Sequence, residues 1–254
     1  MKALKIDIPY EIDSPERTLH HKKILMDKKF MRELYTEWYQ FFQSEIIELP
    51  KGKTLEIGSG GGFLKDILPE VITSDVIALP TNDMTLSALD MPFNDNELSA
   101  IVMVDTFHHL PDCEQFLKEA SRTLKNGGKI IMIEPANSLW GRFIYQNFHH
   151  EPFNPKGGWT FPSSGPLSDA NGALPWIILK RDRAMFEEKF PMLHIAKMKN
   201  HTPLRYLISG GFTLKQLMPD FMYRPVKLFE QILSPVQAFS MFTTIVIQKK
   251  YNKK

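Results

Sequence analysis

The stretch LEIGSGGGFLKDILPEVITSD, Leu55 to Asp75, decides the fold. A short apolar strand over Thr54–Ile57 runs into Gly58, Gly60 and Gly62. A helix start over Gly62–Leu68 is stopped by Pro69. A second apolar strand over Val71–Val76 carries Asp75 at its end. Glycines placed directly after a strand permit positive φ and let a ligand approach the backbone closely. A helix beginning near Gly62 would aim its free N–H groups at that ligand. The unit therefore reads as a nucleotide-binding strand–turn–helix–strand.

Working outward, the alternation continues. Thr85–Leu89 reads as a third strand and Ala100–Val104 (AIVMV) as a fully buried one. Cys113–Leu124 is an amphipathic helix with Phe116, Leu117, Ala120 and Leu124 on one face. Asn126-Gly127-Gly128 breaks it, and Lys129–Ile133 (KIIMI) is another buried strand. Apolar strands separated by helical segments indicate a parallel sheet with helices on both faces. Ligands bind such a sheet at the C-terminal ends of its strands, where the strand order reverses. Upstream, residues 15–48 read as helical, with Ser14 before Pro15 as the N-cap and Phe30, Leu34, Trp38, Phe41 and Phe42 at helical spacing. Downstream, residues 177–190 read as a helix, 192–200 as a strand, 203–235 as helices and Phe239–Gln248 as a last strand. The expectation is one domain in four segments: a helical cap (1–50), a cofactor-binding core (51–135), a lid or acceptor insertion (136–176) and a C-terminal part of the sheet with a helical insertion (177–254).

Three ligands compete for the glycine turn. A Walker loop requires G-K-[ST], but the nearby Lys65 is followed by Asp66, which excludes it. A dinucleotide fingerprint requires G-x-G-x-x-G, and the sixth position from Gly58 is Phe63, which weakens that reading without removing it. S-adenosylmethionine (SAM) fits the remaining feature, the acid two residues before the first glycine. Glu56 can bind the SAM ammonium directly or through water, and would repel a pyrophosphate. Asp75, at the end of the second strand, can accept both ribose hydroxyls.

From Leu55 to Pro135 the sequence resembles a class I SAM-dependent methyltransferase, of the bacterial type 11-like kind. The likeness lies in LEIGSGGG, in Asp75, in MPFNDNELSAIVMVDTFHHL and in FLKEASRTLKNGGKIIMIEP. It implies a Rossmann-like sheet of seven strands, the last antiparallel, with a helical cap and a lid after the fifth strand. It also implies that Gly58, Ser59, Gly60 and Gly62 contact the methionine part of SAM with Glu56 beneath them. Asp75 would hold the ribose and Val76 would pack on adenine. At the position of the family's adenine-binding acid stands Ser87, a departure, while Ala88 can still offer its backbone N–H. Val104 and Asp105 would lie under the methionine and sulfonium, or Asp105 would N-cap the next helix. FHHEPFNP and LRYLISGG resemble a bacterial subgroup associated with surface-polysaccharide or glycolipid genes.

Methyl transfer is an in-line displacement in which the enzyme mainly positions the acceptor and excludes water. A hydroxyl acceptor also needs a base. Candidates at strand ends and in the insertion are His108, His109, Glu134, His149, His150 and Glu151, with His109 and His149 as the catalytic candidates. A metal is not expected, because adjacent histidines point apart in regular structure and no H-x-x-x-H spacing is present. The insertion's aromatics (Trp140, Phe143, Tyr145, Phe148, Phe153, Trp159, Phe161) suit a small-molecule or glycolipid acceptor or the insertion's own core. Arg181, Arg183, Lys197, Lys199 and Arg205 could receive an anionic acceptor. No nucleic-acid module or dense basic arm is recognisable.

Composition agrees with this reading. The charge is polarised: residues 55–135 hold 5 Lys/Arg against 13 Asp/Glu, and residues 177–254 hold 14 against 5. An acidic half suits a cationic cofactor, and a basic half suits an anionic acceptor or an anionic membrane face. Cys113, the single cysteine, excludes an intrachain disulfide. The absence of a long apolar run or a secretory pattern suggests a cytoplasmic protein with, at most, peripheral membrane contact. Two rival readings are a SAM-binding protein that acts through a partner without catalysis, and an NAD(P)-dependent oxidoreductase.

Overall fold

The computed structural model describes residues 4–233 and 235–251; residues 1–3, 234 and 252–254, at the ends of the first and last segments and inside the last, lie outside the described residues. Seven strands form one sheet: β1 (Lys53–Ile57), β2 (Val71–Asp75), β3 (Met84–Thr85), β4 (Leu98–Val104), β5 (Leu124–Pro135), β6 (Leu193–His201) and β7 (Phe242–Lys249). Their order is β3-β2-β1-β4-β5-β7-β6. The β3/β2, β2/β1, β1/β4 and β4/β5 pairs are parallel, and β7 inserts antiparallel to both β5 and β6. Order reverses at β1, which pairs with β2 on one side and β4 on the other, so the glycine turn leaves the sheet at its switch point. Residues Leu98–Met103 of β4 are buried one after another, which requires cover on both faces.

Around the sheet lie α1 (Pro15–Asp27), α2 (Lys29–Ile46), α3 (Cys113–Thr123), α4 (Leu139–Phe148), α5 (Leu174–Trp176), α6 (Arg183–Lys189), α7 (Arg205–Ser209) and α8 (Tyr223–Leu233). The expected N-cap is present: the Ser14 hydroxyl accepts from Arg17 N, with Pro15 at the first helical position. The single helix expected over 15–48 is broken at Lys28, whose backbone is extended. Its ammonium donates to the carbonyls of Gly211 (2.5 Å) and Leu214, anchoring the break to the loop after α7. Phe30, Leu34, Trp38 and Phe42 are buried as their spacing predicts, while Phe41 stays half exposed under Lys197.

Three further expectations change. The helix expected over Gly62–Leu68 is only one 3₁₀ turn, Leu64–Asp66, closed off by Leu68-Pro69. The third strand shrinks to Met84–Thr85, because Asp83 turns back to bond Thr73 through its carboxylate (2.9 Å) and the chain then leaves for the cavity wall. The insertion contains a full helix, α4, capped by the Ser138 hydroxyl, which accepts from Gly141 N (2.8 Å).

A buried ion-pair network fastens the C-terminal insertion to α2. Glu230 accepts from the backbone N–H groups of Leu204 (2.8 Å) and Arg205 (2.7 Å) and from the Arg205 guanidinium (2.5 Å). Arg205 also donates to Glu37 and to the Tyr223 hydroxyl, both at 2.7 Å.

Candidate cofactor and acceptor site

Gly58 and Gly60 adopt left-handed φ of 66° and 46°, and these two positions make the turn. A Cβ at Gly58 would stand 2.4 Å from the Thr106 hydroxyl, so residue 58 must be glycine twice over. Gly61 lies under the backbone of His21 and Lys22, so α1 roofs the turn. Behind the turn the Glu56 carboxyl is buried, and burial pushes its pKa up to about 7, with Asp75 adding to the rise and Ser59 and Lys22 opposing it. The Asp75 carboxylate accepts from Gly60 N and Ile77 N, both at 3.0 Å; burial raises its pKa against those two bonds.

These residues open onto a cavity of about 470 Å³. Every residue assigned to the cofactor from sequence lines it: Glu56, Gly58, Ser59, Gly60, Gly62, Asp75, Val76, Ser87, Ala88, Val104 and Asp105. Val76 is exposed at the edge of this cavity. Asp105 does not cap a helix. It has φ of 49°, the following 3₁₀ turn (Phe107–His109) begins with Thr106 and no side-chain cap, and Glu134 Oε1 instead accepts from Thr106 N (2.9 Å) and Phe107 N (2.8 Å). Burial, aided by Glu134 and Glu151 and resisted by His108, pushes the Asp105 pKa up to about 8. The sequence marks the cap and lid segments but not the residues that roof this cavity, which are Thr18, His21 and Leu25 of α1, Ser163–Leu167 and Phe212. No local pattern marks them; only the packing of distant segments brings them here.

A second cavity of about 260 Å³ shares Asp105, His21, His109, Leu167 and Phe212 with the first. Its walls are mainly apolar (Ile144, Tyr145, Phe148, Tyr206, Leu207, Phe242). The two segments FHHEPFNP and LRYLISGG, some fifty residues apart, both contribute to it: His149, His150 and Glu151 from the first, Tyr206, Leu207, Gly210 and Gly211 from the second. From its rim an aromatic strip runs outward: Phe148 contacts Phe143 (5.7 Å between ring centres), Phe143 stacks on Trp140 (6.0 Å) and Trp140 on Phe239 (5.4 Å).

Six candidates for acid–base work converge on one wall. His108 Nδ1 meets Glu134 Oε2 at 2.6 Å, and its Nε2 lies 3.3 Å from Glu151. His109 Nδ1 donates to the Asp169 carbonyl (3.1 Å), and its Nε2 lies 3.7 Å from Glu151. His149 and His150 approach the same carboxylate at 3.7 and 3.6 Å. Burial alone would depress the His108 pKa, but Glu134 overrides it and holds the ring well above its usual value. Burial and the neighbouring His108 charge lower His109 to about 4. Burial opposes ionisation of Glu151, yet His108 and the other imidazoles hold its carboxyl well below the usual range. The sequence argument against clustered ligands fails here: His149 and His150 lie beyond the end of α4, outside regular structure, with their rings stacked at 4.8 Å.

The cations expected to receive an anionic acceptor are engaged elsewhere. Arg205 is buried in its ion-pair network, Arg181 bonds Asp182 and the Pro155 and Gly157 carbonyls, Arg183 pairs with Glu187, and Lys197 pairs with Glu45. Neither these four nor Lys199 lines either cavity.

Comparison with known proteins agrees with this geometry. Residues 55–132 match the family described as a methyltransferase domain. A demethylmenaquinone methyltransferase from Symbiobacterium thermophilum is 31% identical over 122 residues, 46% of each chain. A sarcosine/dimethylglycine N-methyltransferase from Halorhodospira halochloris is 41% identical over 46 residues, 18% of this chain and 16% of that one. Among solved structures, the geranyl diphosphate C-methyltransferase of Streptomyces coelicolor A3(2), in complex with Mg2+, geranyl diphosphate and S-adenosyl-L-homocysteine, superposes with a TM-score of 0.51 at 12% identity, covering 97% of this chain and 91% of that one; at this identity the likeness is one of fold. The chain spans 57% or less of the length of the curated relatives it matches. Residues 55–132 are thus similar to a methyltransferase domain, on a fold of the class I type. Among the described residues no helix is long and apolar enough to cross a membrane.

Proposed function

We propose that the protein transfers the methyl group of SAM to a hydroxyl of a small amphiphilic acceptor of the glycolipid type. The observation that carries this reading is the junction of the two cavities at Asp105, His21 and His109. A sulfonium seated over the Gly58–Gly62 turn would direct its methyl toward that junction, and an acceptor head group in the second chamber would meet it there. The acceptor oxygen forms the new bond to carbon as the sulfur–carbon bond breaks. The bonding pair stays on sulfur, giving S-adenosylhomocysteine, and the hydroxyl proton passes to the His–Glu cluster. His109 faces both cavities and His149 the second, and this supports assigning proton acceptance to one of them. The aromatic strip leading from Phe148 to Phe239 offers an apolar tail a path outward, toward a membrane surface if the acceptor lives there.

The oxidoreductase alternative loses its main support. A pyrophosphate needs the N-terminus of a helix after the glycine turn, and here one 3₁₀ turn stands in its place. A non-catalytic SAM-binding role is separated from catalysis by turnover. Purified protein is titrated with SAM and NAD by calorimetry, then incubated with SAM and hydroxylated glycolipids, phenols or amines while S-adenosylhomocysteine is measured. SAM binding with NAD silent, and product only with hydroxylated amphiphiles, is the expected result. SAM binding with no product from any acceptor favours the non-catalytic role, product with amines alone removes the oxygen assignment, and absence of SAM binding removes the whole reading.

A further inference from the structure

We infer that His108, His109 and Glu151, with His149 and His150 beside them, form a binding site for one divalent transition-metal ion of the zinc type in the wall of the acceptor chamber. Four imidazoles surround a single carboxylate. Three of them stand 3.6–3.7 Å from it, too far for a hydrogen bond. Donors held ~2.1 Å from one ion and roughly 90–120° apart lie about 3.0–3.6 Å from one another, and the four nitrogen–carboxylate distances, 3.3–3.7 Å, lie at or just beyond the upper end of that range. The ligating atoms of His108, His109 and Glu151 lie within 4.8 Å of one another, as do those of His149, His150 and Glu151.

The second observation is the orientation of the rings. His109 gives its Nδ1 proton to the Asp169 carbonyl, so a neutral ring presents the Nε2 lone pair to the Glu151 carboxylate. A lone pair facing a carboxylate is favourable only with a cation or proton between them. His108 is oriented through Nδ1 by Glu134, which is itself fixed by two backbone N–H groups, and its Nε2 donates to Glu151 at 3.3 Å, a proton that an incoming ion would displace. Imidazoles anchored through one nitrogen by a carboxylate or carbonyl, with the other nitrogen presented, are the usual supporting arrangement of a metal site. Imidazole and carboxylate donors favour zinc and its neighbours in the first transition row over magnesium, which prefers oxygen alone. His150 is half exposed and the site faces the chamber, so coordination positions remain for an acceptor oxygen. An ion held there would bind that oxygen and lower its pKa, so that the hydroxyl proton would pass to solvent in the open chamber instead of to His109. That role rests on the methyl-transfer reading; the site itself does not.

The test uses the full chain, stripped with a chelator, and titrated with Zn2+ and separately with Mg2+ while bound metal and melting temperature are followed. About one equivalent of Zn2+ with a rise in melting temperature, and no Mg2+ binding, is expected. Glu151→Gln should weaken Zn2+ binding at least ~100-fold, His149→Ala roughly tenfold, and His194→Ala, outside the cluster, not at all. Glu151 and His149 are partly exposed, so both variants should fold, with circular dichroism as the control. Substoichiometric Zn2+ in the parent chain, or Zn2+ binding untouched in both cluster variants, overturns the inference. SAM is titrated in parallel: SAM binding without Zn2+ removes the metal site alone, and loss of both removes the cofactor reading as well.

Discussion

The two cavities share a wall but are built differently. The cofactor cavity takes its floor from short runs at the ends of consecutive strands: Glu56–Gly62 after β1, Asp75–Ile77 after β2, Leu86–Leu89 after β3 and Val104–Thr106 after β4. The acceptor chamber draws on positions scattered from Ile12 to Phe242, held by insertions and by the cap. Its wall at Tyr206 and Leu207 sits on a five-residue helix whose first N–H groups have no cap of their own and rely on Glu230. The parallel sheet thus supplies a fixed cofactor floor, and separate appended pieces, each with its own fastening, supply the acceptor room.

That difference is best broken at Glu230. In Glu230→Ala the Arg205 guanidinium stays buried with only Glu37 and Tyr223, and two backbone donors of α7 lose their acceptor. Removing one member of a buried pair typically costs about 3–5 kcal/mol. Urea unfolding should show a loss of that size, with SAM affinity in the surviving folded protein changed far less than stability. A loss under about 1 kcal/mol would mean that the acceptor wall has a fastening other than this network.

Glu56 tests the cofactor side in the opposite sense. Its folded pKa of about 7 lies above its ordinary value of 4.5, so the folded state favours the protonated form. This group's contribution is most favourable below pH 4.5 and declines as pH rises to 7, by up to about 3 kcal/mol. Glu56→Gln should therefore make the empty protein more stable than the parent at pH 8, yet weaken SAM by about 2–3 kcal/mol through loss of a charge-assisted bond to its ammonium. Parent SAM affinity should decline about tenfold per unit below pH 7, and the variant should lack that dependence. Calorimetry and thermal melts across pH 5.5–8 check both parts. Equal SAM affinity in variant and parent would remove Glu56 from the cofactor site.

The same contrast explains what could be read from the chain. The motif from Leu55 to Asp75 and the buried runs AIVMV and KIIMI specified the parallel strands, because strand period and glycine placement are local properties. Glu56, Gly58, Gly60, Gly62 and Asp75 followed from the first of these, whereas Ser59, Val76, Ser87, Ala88, Val104 and Asp105 were implied by the family resemblance. The helix after Gly62 is reduced to the single 3₁₀ turn Leu64–Asp66, because Pro69 allows about two turns at most and so short a helix is marginal. For the acceptor chamber the sequence marked the segments, the cap, the lid insertion and the C-terminal helical insertion, but not which of their side chains meet. His108 and Glu151 lie 43 residues apart and meet only when the insertion folds back over the strand ends. The basic count of the C-terminal part suggested an anion site, but charge along a sequence does not reveal that Arg205 is already paired inside.

The smallest expected effect concerns the roof that joins the two regions. Asp13 accepts through Oδ1 from Leu167 N (2.6 Å) and Ser168 N (3.1 Å), and through Oδ2 from the Ser168 hydroxyl, clamping the segment that roofs the cofactor cavity. Gly165 sits directly against this carboxylate, where an added Cβ would collide with it. Three bonds at a partly exposed site contribute about 1 kcal/mol net. That is too little to alter the fold but enough to change how long the roof stays closed. In Asp13→Ala the dissociation rate of S-adenosylhomocysteine should rise roughly fivefold while the melting temperature barely moves. Stopped-flow displacement measures the first and a thermal scan the second. An unchanged dissociation rate would mean that the cofactor leaves by another route, most directly through the acceptor chamber, and the roof would then belong to the acceptor side of the comparison.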